Sequence, residues 1–386
     1  MGVLSAFPSV GRWLRRVLAL LSLSVMAVTL SSLLTACSKP PVKLAFMGGI
    51  TGRTSDLGVA GRDGVTLAVE QANAAGGVLG RQVLLEAFDD QQQPGRARDT
   101  LNAIRGAGHQ VVVGPMTSAM ATAVVPLANQ AGLLLVSPTV TSPYLSGLDD
   151  QFFRVVSSVQ DYARKSVDYH ARHGSWKRYA VILDDGNKDY TRGWLAHFEK
   201  ALQAQGGELL STQAYQYEPG LSFVALARQA LVPRPDAVLL LAGAVDAAQL
   251  AQALRKLAPS IPLVTSEWAA TEQLTSMGGR AVEGVFTAQF LDRDSKDAPY
   301  LEFASAFSKR FGRAPGFAEL AAYDAARVAL QALTQQQRGE TLKATVLRLR
   351  RFDGVQQPIV FDDFGDARRE TIITTIRDGR FVVVPD

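Results

Sequence analysis

Short apolar segments alternate regularly with longer segments of helical periodicity along this chain. The apolar segments lack the in-and-out pattern of a half-exposed strand, which is typical of parallel strands covered on both faces. In the first half, strands are predicted at 42–50, 83–88, 110–113 and 133–136, and helices at 61–75, 97–106 and from Ser118 onward with an interruption near Pro126. This order of elements predicts an α/β fold.

The same alternation begins again in the second half, so the 386 residues are expected to form two Rossmann-like lobes with parallel sheets covered by helices. Strands are predicted at 179–183, 208–215, 237–241 and 261–265, and helices at 190–205, 223–231 and 245–257. After Gly284 come helices at 300–311, 317–332 and 341–349, and a hairpin, 371–376 with 381–384, around Asp378-Gly379. Helices with few strands of their own indicate that the chain returns to complete the first lobe.

The first 36 residues have the pattern of an export signal. Three arginines precede an apolar run at 17–34, and no acidic residue occurs in this segment. The run is followed by a small-residue site, so that the segment closes with Leu34-Thr35-Ala36-Cys37. That tetrapeptide resembles the lipobox of bacterial lipoproteins, which implies a signal peptide at 1–36, a lipidated Cys37 and a short linker at 37–41. A plain cleaved signal and an uncleaved anchor are the alternatives.

The charge balance argues against a nucleic-acid partner. Three of the 40 basic residues lie in the leader, so 37 basic residues face 36 acidic ones in the remainder. A nearly neutral chain lacks the basic footprint that phosphate backbones require. Cys37 is the only cysteine, which leaves no disulfide, no cysteine-ligated metal and no second thiol.

Catalytic signatures are absent from the sequence. It contains no Gly-x-x-x-x-Gly-Lys-Ser/Thr loop, no Gly-x-Gly-x-x-Gly fingerprint and no Gly-x-Ser-x-Gly elbow. We interpret His170 and His173 as exposed helical residues, and the acidic pairs at 89–90, 184–185 and 362–363 as capping or solvated groups at strand ends. We therefore expect no enzyme, no metal and no cofactor.

Polar residues follow several predicted strands, where ligands of open parallel sheets bind. Ser118 begins a helix after the third strand, and a helix N-terminus favours an anion. A second hydroxyl-rich loop at 137–143 follows the fourth strand. In the second half Tyr190 opens a helix, and Glu267 with Trp268 follows a strand. An anion-binding rim opposite an acid and an aromatic ring suits a zwitterion held between two lobes.

The mature chain resembles the type I periplasmic binding proteins of the branched-chain amino acid and amide class, which are the substrate-binding components of ABC importers. The resemblance rests on the order of five motifs: Gly48-Gly49-Ile50-Thr51-Gly52, Ala72-Asn73-Ala74-Ala75-Gly76-Gly77-Val78-Leu79-Gly80, Val113-Gly114-Pro115, Val136-Ser137-Pro138 and Val282-Glu283-Gly284-Val285. It implies two lobes joined by three crossover segments that close over a ligand like a clamp. The expected bounds are 42–156 plus 288–355 for lobe 1, and 157–287 plus 356–386 for lobe 2.

The resemblance also implies roles for particular residues. Ser118 and Thr141, with backbone N–H groups around Ala119 and Thr139, match positions that bind a ligand α-carboxylate. Glu267 matches the position that accepts the α-ammonium group, or else is a solvated strand-end acid. The remaining expected site residues are Tyr190 beside the ammonium, Leu57 where leucine-binding relatives carry an aromatic residue, and Trp268 against or under the pocket.

Other positions remain open at this stage. Ala244-Val245 stand where those relatives carry tyrosines, so a larger or different ligand side chain is an alternative. Arg53 could meet an acidic ligand group or point to solvent, and Tyr323 could line the site or belong to the core.

The expected function is that of an extracytoplasmic solute-binding lipoprotein of an ABC importer. Its expected partners are an amino acid or related small polar ligand, ABC permease subunits and the membrane that holds its lipid anchor, and we expect a monomer. Which bacterial membrane carries the anchor is left open. A ligand sensor with the same fold, and a neutral amide or aromatic acid as ligand, are the alternatives.

Overall fold

The first alternating run forms a five-stranded parallel sheet with the strand order β2-β1-β3-β4-β5. The computed structural model describes residues 40–174 and 176–385, so the predicted leader and Cys37 lie outside the described residues. The five strands are β1 (Val42–Gly48), β2 (Val83–Asp89), β3 (Val111–Val113), β4 (Leu134–Ser137) and β5 (Phe152–Arg154). The helices between them are α1 (Asp56–Ala74), α2 (Pro94–Gly106) and α3 (Ser118–Ala131).

Both faces of this sheet are buried, as its apolar strands predict. Leu44 and Phe46 of β1 belong to the cluster that includes residues of α1, whereas Ala45 and Met47 pack with α2 and α3 on the other face. Alternate side chains of one strand thus enter two different layers of core.

The second run forms a seven-stranded sheet with the order β14-β13-β10-β9-β8-β6-β7. Its strands are β6 (Arg178–Asp184), β7 (Glu208–Tyr215), β8 (Ala237–Leu241), β9 (Leu263–Thr265), β10 (Phe286–Gln289), β13 (Ile372–Arg377) and β14 (Arg380–Val383). The C-terminal hairpin pairs antiparallel with β10, and the other strands are parallel. The associated helices are α4 (Val159–His173), α5 (Lys188–Ala204), α6 (Phe223–Leu231), α7 (Ala244–Leu257) and α8 (Glu272–Gly278).

The last helices return to the first sheet, as the sequence predicts. They are α9 (Ala298–Phe311), α10 (Phe317–Gln335) and α11 (Leu342–Leu349), and α10 packs along α1. A two-stranded ribbon, β11 (Arg351–Phe352) with β12 (Ile359–Val360), follows them. We call the five-stranded sheet with α1–α3 and α9–α11 the N-terminal lobe, and the seven-stranded sheet with α4–α8 the C-terminal lobe.

The chain passes between these lobes after β5, after β10 and after β12. The α/β class predicted from the sequence, with parallel strands flanked by helices, is confirmed. The proposed bounds of the lobes stay a prediction, and the one at 287/288 falls within β10, all of which pairs with β13.

Helices α1 and α3 show the most informative differences from their predictions. Helix α1 begins at Asp56, five residues before the predicted start, because Gly58, which suggests a loop, lies inside it. A Cβ on Gly58 would lie 2.0 Å from the Gly49 oxygen, and one on Gly64 would lie 2.2 Å from the Glu319 oxygen, so close packing requires them. Helix α3 continues through Pro126, with buried residues on both sides of it.

The interpretation of His170 as an exposed residue is wrong. His170 is buried against Trp176 and Phe286, and burial lowers its pKa to about 3, whereas His173 is exposed. His170 is therefore a neutral member of an aromatic cluster. Across residues 40–174 and 176–385, no helix has the length and hydropathy needed to cross a bilayer, and no group of three acidic, histidine or cysteine side chains is placed to hold a metal ion.

Candidate functional site

A small cavity lies where the carboxyl ends of strands from both lobes face each other. The N-terminal lobe contributes the loops after β3 and β4, and the C-terminal lobe contributes two short 3-10 turns, Asp185–Asn187 after β6 and Glu267–Ala269 after β9. The cavity is lined by Leu57, Met116, Thr117, Ser118, Thr139, Asn187, Tyr190, Glu267, Trp268 and Phe317. Strand ends of an open parallel sheet are the expected place for a ligand.

Glu267 is the buried acid of this cavity, with 6% of its surface exposed. Its Oε2 accepts a hydrogen bond from Trp194 Nε1 at 3.1 Å, and its Oε1 accepts one from Thr141 Oγ1 at 3.2 Å. Burial raises the pKa of Glu267 from 4.5 to about 7, although these two bonds oppose the rise. The solvated alternative for Glu267 is thus excluded, and a cationic partner would relieve the cost of its buried charge.

Tyr190 lies beside Glu267 and is itself 3% exposed. Its ring contacts the Trp268 ring edge to face at 5.6 Å. The hydroxyl group is buried next to the Glu267 carboxylate and makes no hydrogen bond of regular geometry within the described residues. Burial, reinforced by the nearby Glu267 carboxylate, raises the pKa of Tyr190 well above 10, so the hydroxyl remains a proton donor.

The opposite wall is the N-terminus of α3. Ser118 is its first residue and lines the cavity, with Thr139 from the following loop beside it. The Thr139 hydroxyl donates to the Met116 carbonyl oxygen at 2.6 Å. The Ala119 N–H donates across the cleft to Asn187 Oδ1 at 3.0 Å. This end of a 14-residue helix offers a positive dipole to an anion.

Apolar side chains form the rest of the lining. Met116 is 2% exposed, and its side chain lies against Gly48 and Gly61, where an added Cβ would come within 2.7 Å and 2.5 Å of it. Leu57 and Phe317 complete this apolar wall. The cavity therefore combines an acid, a helix N-terminus and an apolar surface, which suits a ligand with both polar and apolar parts.

Several contacts join the two lobes around the cavity. Arg53 forms an ion pair with the buried Asp246, which also accepts a hydrogen bond from Tyr215 at 2.9 Å. Thr271 donates to Asp56 at 2.8 Å, and Gly193 of α5 packs closely on Pro143. The lobes are therefore closed upon each other in this conformation.

The closed cavity is small. Its volume is about 20 Å³. Ligand pockets are roughly 300–1,000 Å³, so an amino acid requires the lobes to part. A larger hollow, about 480 Å³, lies near the first and third crossovers. Its buried Arg154 already pairs with Asp366, whereas the buried Glu267 of the cleft has no cationic partner among the described residues, so we favour the cleft.

The structure places the sequence-predicted site residues as follows. Leu57, Ser118, Thr139, Tyr190, Glu267 and Trp268 line the cavity, Thr141 contacts Glu267, and Ala119 contributes its N–H. The two residues whose roles the sequence did not decide lie outside the cavity. Arg53 pairs with Asp246 of the opposite lobe, and Tyr323 donates to Gln71 on the α1–α10 surface.

Five residues of the site escape the sequence reasoning: Asn187, Trp194, Met116, Thr117 and Phe317. A signal existed only for Trp194, which lies four residues after Tyr190 and therefore on the same face of α5. Asn187 directly precedes a helix, where asparagine is usually interpreted as an N-cap, although its side chain makes no such bond.

The family model described as periplasmic binding protein matches residues 41–380, so the chain belongs to that family. The family implies an exported, periplasmic protein. A relative from Rhizobium johnstonii, the Leu/Ile/Val-binding protein BraC3, is 28% identical over 250 residues, which are 64% of this chain and 67% of the relative.

Solved structures agree on the fold. The leucine binding protein LivK of Thermotoga maritima has a TM-score of 0.80 at 22% identity, covering 89% of this chain and 98% of its own. A solute binding protein of an ABC transporter from R. palustris, in complex with benzoate, has a TM-score of 0.80 at 18% identity, covering 89% of this chain and 95% of its own. The predicted family and fold are thus confirmed.

Proposed function

We propose that this protein captures a branched-chain or similar amino acid in the interlobe cleft and delivers it to the permease of an ABC importer. The observation that carries this proposal is the placement of Glu267, a buried acid on one lobe, opposite the N-terminus of α3 on the other. An α-ammonium group would bind at Glu267 with the Tyr190 hydroxyl beside it. The α-carboxylate would bind at the α3 end with Ser118, Thr139 and Thr141 around it.

The apolar wall supports an aliphatic ligand side chain. Leu57, Met116 and Phe317 offer no charge to it, and Trp268 adds an aromatic surface. The name of the Rhizobium relative, a Leu/Ile/Val-binding protein, supports the same ligand class.

An aromatic acid is the second candidate. A carboxyl whose pKa is about 7 is neutral in mildly acidic medium and can then donate a hydrogen bond to a ligand carboxylate. The benzoate complex of the R. palustris structure supports this alternative. Such a ligand would bind more tightly as the pH falls, whereas an amino acid would bind more weakly.

A thermal-shift panel tests both candidates. Leucine, isoleucine, valine, leucinamide and benzoate are added to the protein at pH 8 and at pH 6. A ligand at 100 times its Kd should stabilise the folded state by about 2.7 kcal/mol. Stabilisation by the three amino acids supports the proposal. Stabilisation by benzoate alone, stronger at pH 6, would replace it with the aromatic acid.

We also propose that the working protein is a monomer held to the membrane by a lipid on Cys37, which lies outside the described residues. The sequence Leu34-Thr35-Ala36-Cys37 supports this anchor. Mass spectrometry of membrane-extracted protein should find a lipid-modified Cys37 as the first residue. An unmodified soluble protein, or one that retains residues 1–36, would contradict the anchor.

A further inference from the structure

Among the described residues that line the cavity, Asn187 makes a direct polar contact with the N-terminus of α3 in the opposite lobe. It ends the 3-10 turn after β6 and is 6% exposed. Hydrogen bonds hold its backbone: the Thr191 hydroxyl donates to the carbonyl oxygens of Asp184 and Asn187 at 3.0 Å and 3.4 Å. The side chain is therefore presented from a fixed position.

The contact with Ala119 determines how the Asn187 amide is oriented. A backbone N–H can only donate, so the atom that faces Ala119 at 3.0 Å must be Oδ1. The Nδ2 group is then on the other branch of the amide, in a residue that lines the cavity. No hydrogen bond of Nδ2 to the protein is found among the described residues, so its two N–H groups are available.

Several neighbouring donors in the cavity are already used. The Thr141 hydroxyl donates to Glu267, the Thr139 hydroxyl donates to Met116, and the Ala119 N–H donates to Asn187. The hydroxyl groups of Thr117 and Ser118, for which no hydrogen bond is found among the described residues, lie on the same lobe as α3. Asn187 Nδ2 offers an anionic ligand group a donor from the opposite lobe.

We propose that Asn187 is a specificity-determining residue that donates Nδ2–H to the anionic group of the ligand while its Oδ1 docks on Ala119. This inference rests on the proposed function, because it assumes that the ligand carries a carboxylate. The same side chain then contacts both the ligand and the opposite lobe, so the anion is recognised as the cleft closes. Ala119 would thus hold the lobes together through Asn187 instead of contacting the ligand directly.

An isosteric substitution separates the two roles of this side chain. In Asn187→Asp the oxygen that accepts from Ala119 is kept, while the donor becomes a second anion. We expect the Kd of leucine, measured by calorimetry at pH 7, to rise at least 100-fold. Leucinamide, whose amide can donate to the new carboxylate, should lose less than tenfold. Asn187→Ala should weaken both ligands by about tenfold.

Asn129→Asp is the matched control, because Asn129 accepts a hydrogen bond from the Gln151 N–H on the exposed surface near the end of α3. It should leave both affinities within twofold. Equal losses of leucine and leucinamide in Asn187→Asp would reduce Asn187 to a structural residue and overturn the inference. Tighter leucine binding by Asn187→Ala would also overturn it, since the side chain would then compete with the ligand for Ala119.

The outcome for the proposed function is independent of these ratios. Wild-type protein that binds neither leucine nor leucinamide contradicts the amino-acid assignment, and the same variants are then compared with benzoate and benzamide. Closure itself is followed without ligand, by fluorophores placed one on each lobe. Asn187→Ala should increase their separation and Asn187→Asp should not. An unchanged separation in Asn187→Ala would overturn the docking role.

Discussion

Replacing Glu267 by Gln should weaken ligand binding and, at the same pH, stabilise the unliganded protein. The substitution keeps the shape of the side chain and removes its charge. Trp194 can still donate to the remaining carbonyl oxygen, and the Thr141 hydroxyl can rotate to accept from the new amide. The effects therefore report the charge of Glu267 more than its packing.

The stability effect follows from the pKa. The unfolded carboxyl keeps a value near 4.5, and burial raises the folded value to about 7. The folded state thus binds more protons between these values, so the free energy of unfolding falls as the pH rises from 4.5 to 7. At roughly 1.36 kcal/mol per unit, the fall amounts to about 3 kcal/mol. Glu267→Gln should remove this fall in the free energy of unfolding. Urea denaturation should therefore show that the variant is more stable than the wild type at pH 8 and that the two are equally stable at pH 4.5.

The binding effect has the opposite sign. Truncating one partner of a buried charge pair costs about 2–5 kcal/mol, or at least tenfold in Kd, so Glu267→Gln should bind leucine about 10²–10³-fold more weakly at pH 8. Wild-type affinity should fall about 100-fold towards pH 5, where roughly one Glu267 in 100 is ionised. The variant should show no such dependence, and the two Kd values should converge near pH 5. Parallel pH profiles, or unchanged affinity at pH 8, would refute the role of Glu267.

Three further predictions concern closure, the crossover region and acid stability. In Gly193→Ala the new Cβ would lie 2.8 Å from Pro143 Cδ across the cleft, so the Kd of leucine by calorimetry should rise about tenfold while thermal stability is unchanged or higher. Gly95→Ala, which meets nothing within 4 Å, is the control, and equal affinities would contradict the contact. Arg369→Met leaves the fully buried Asp324 without its partner at 2.6 Å and should cost about 3–5 kcal/mol in urea denaturation; a loss no greater than that of the exposed Arg368→Met would argue against this pair. Because His170 has a folded pKa of about 3 against 6.5 when unfolded, the unfolded chain takes up this proton first, and stability falls as the pH drops below 6.5. His170→Leu should therefore lose about 3 kcal/mol less than wild type between pH 6.5 and pH 4, and identical pH profiles would contradict the burial of a neutral ring.

The sequence predicted most of the helices and strands because hydrophobic periodicity and turn residues are local signals. The bounds of β7, α6 and β8 agree with the sequence expectation at every residue, since each is an apolar or periodic segment between clear breaks. The early start of α1 escaped prediction because Gly58, which suggests a loop, is required by its tertiary contact with the Gly49 oxygen. Strands β5 and β10 also escaped prediction, because each is short and lies where the chain passes between the lobes, outside the regular alternation of strands and helices.

The site residues likewise fall into those that local sequence pattern predicted and those that only the tertiary structure shows. Strand ends and helix starts indicated Ser118, Tyr190 and Glu267 because a parallel sheet brings such positions to one edge. The partners that complete the site are set by tertiary contacts, across the cleft for Asn187 and within the C-terminal lobe for Trp194, which no local pattern encodes. Asn187 meets Ala119 across 68 residues, and Trp194 meets Glu267 across 73. The burial that raises the pKa of Glu267 likewise comes from both lobes together.

A zwitterion should bind between the lobes with its ammonium group at Glu267 and its carboxylate at the N-terminus of α3. The decisive measurement is a crystal structure of the protein grown with leucine at pH 8. We expect the ligand nitrogen within hydrogen-bond distance, about 3 Å, of the Glu267 carboxylate, with the ligand carboxylate beside Ser118 and Asn187. Leucine bound outside this cleft, or bound within it with its carboxylate towards Glu267, would show that this binding mode is wrong.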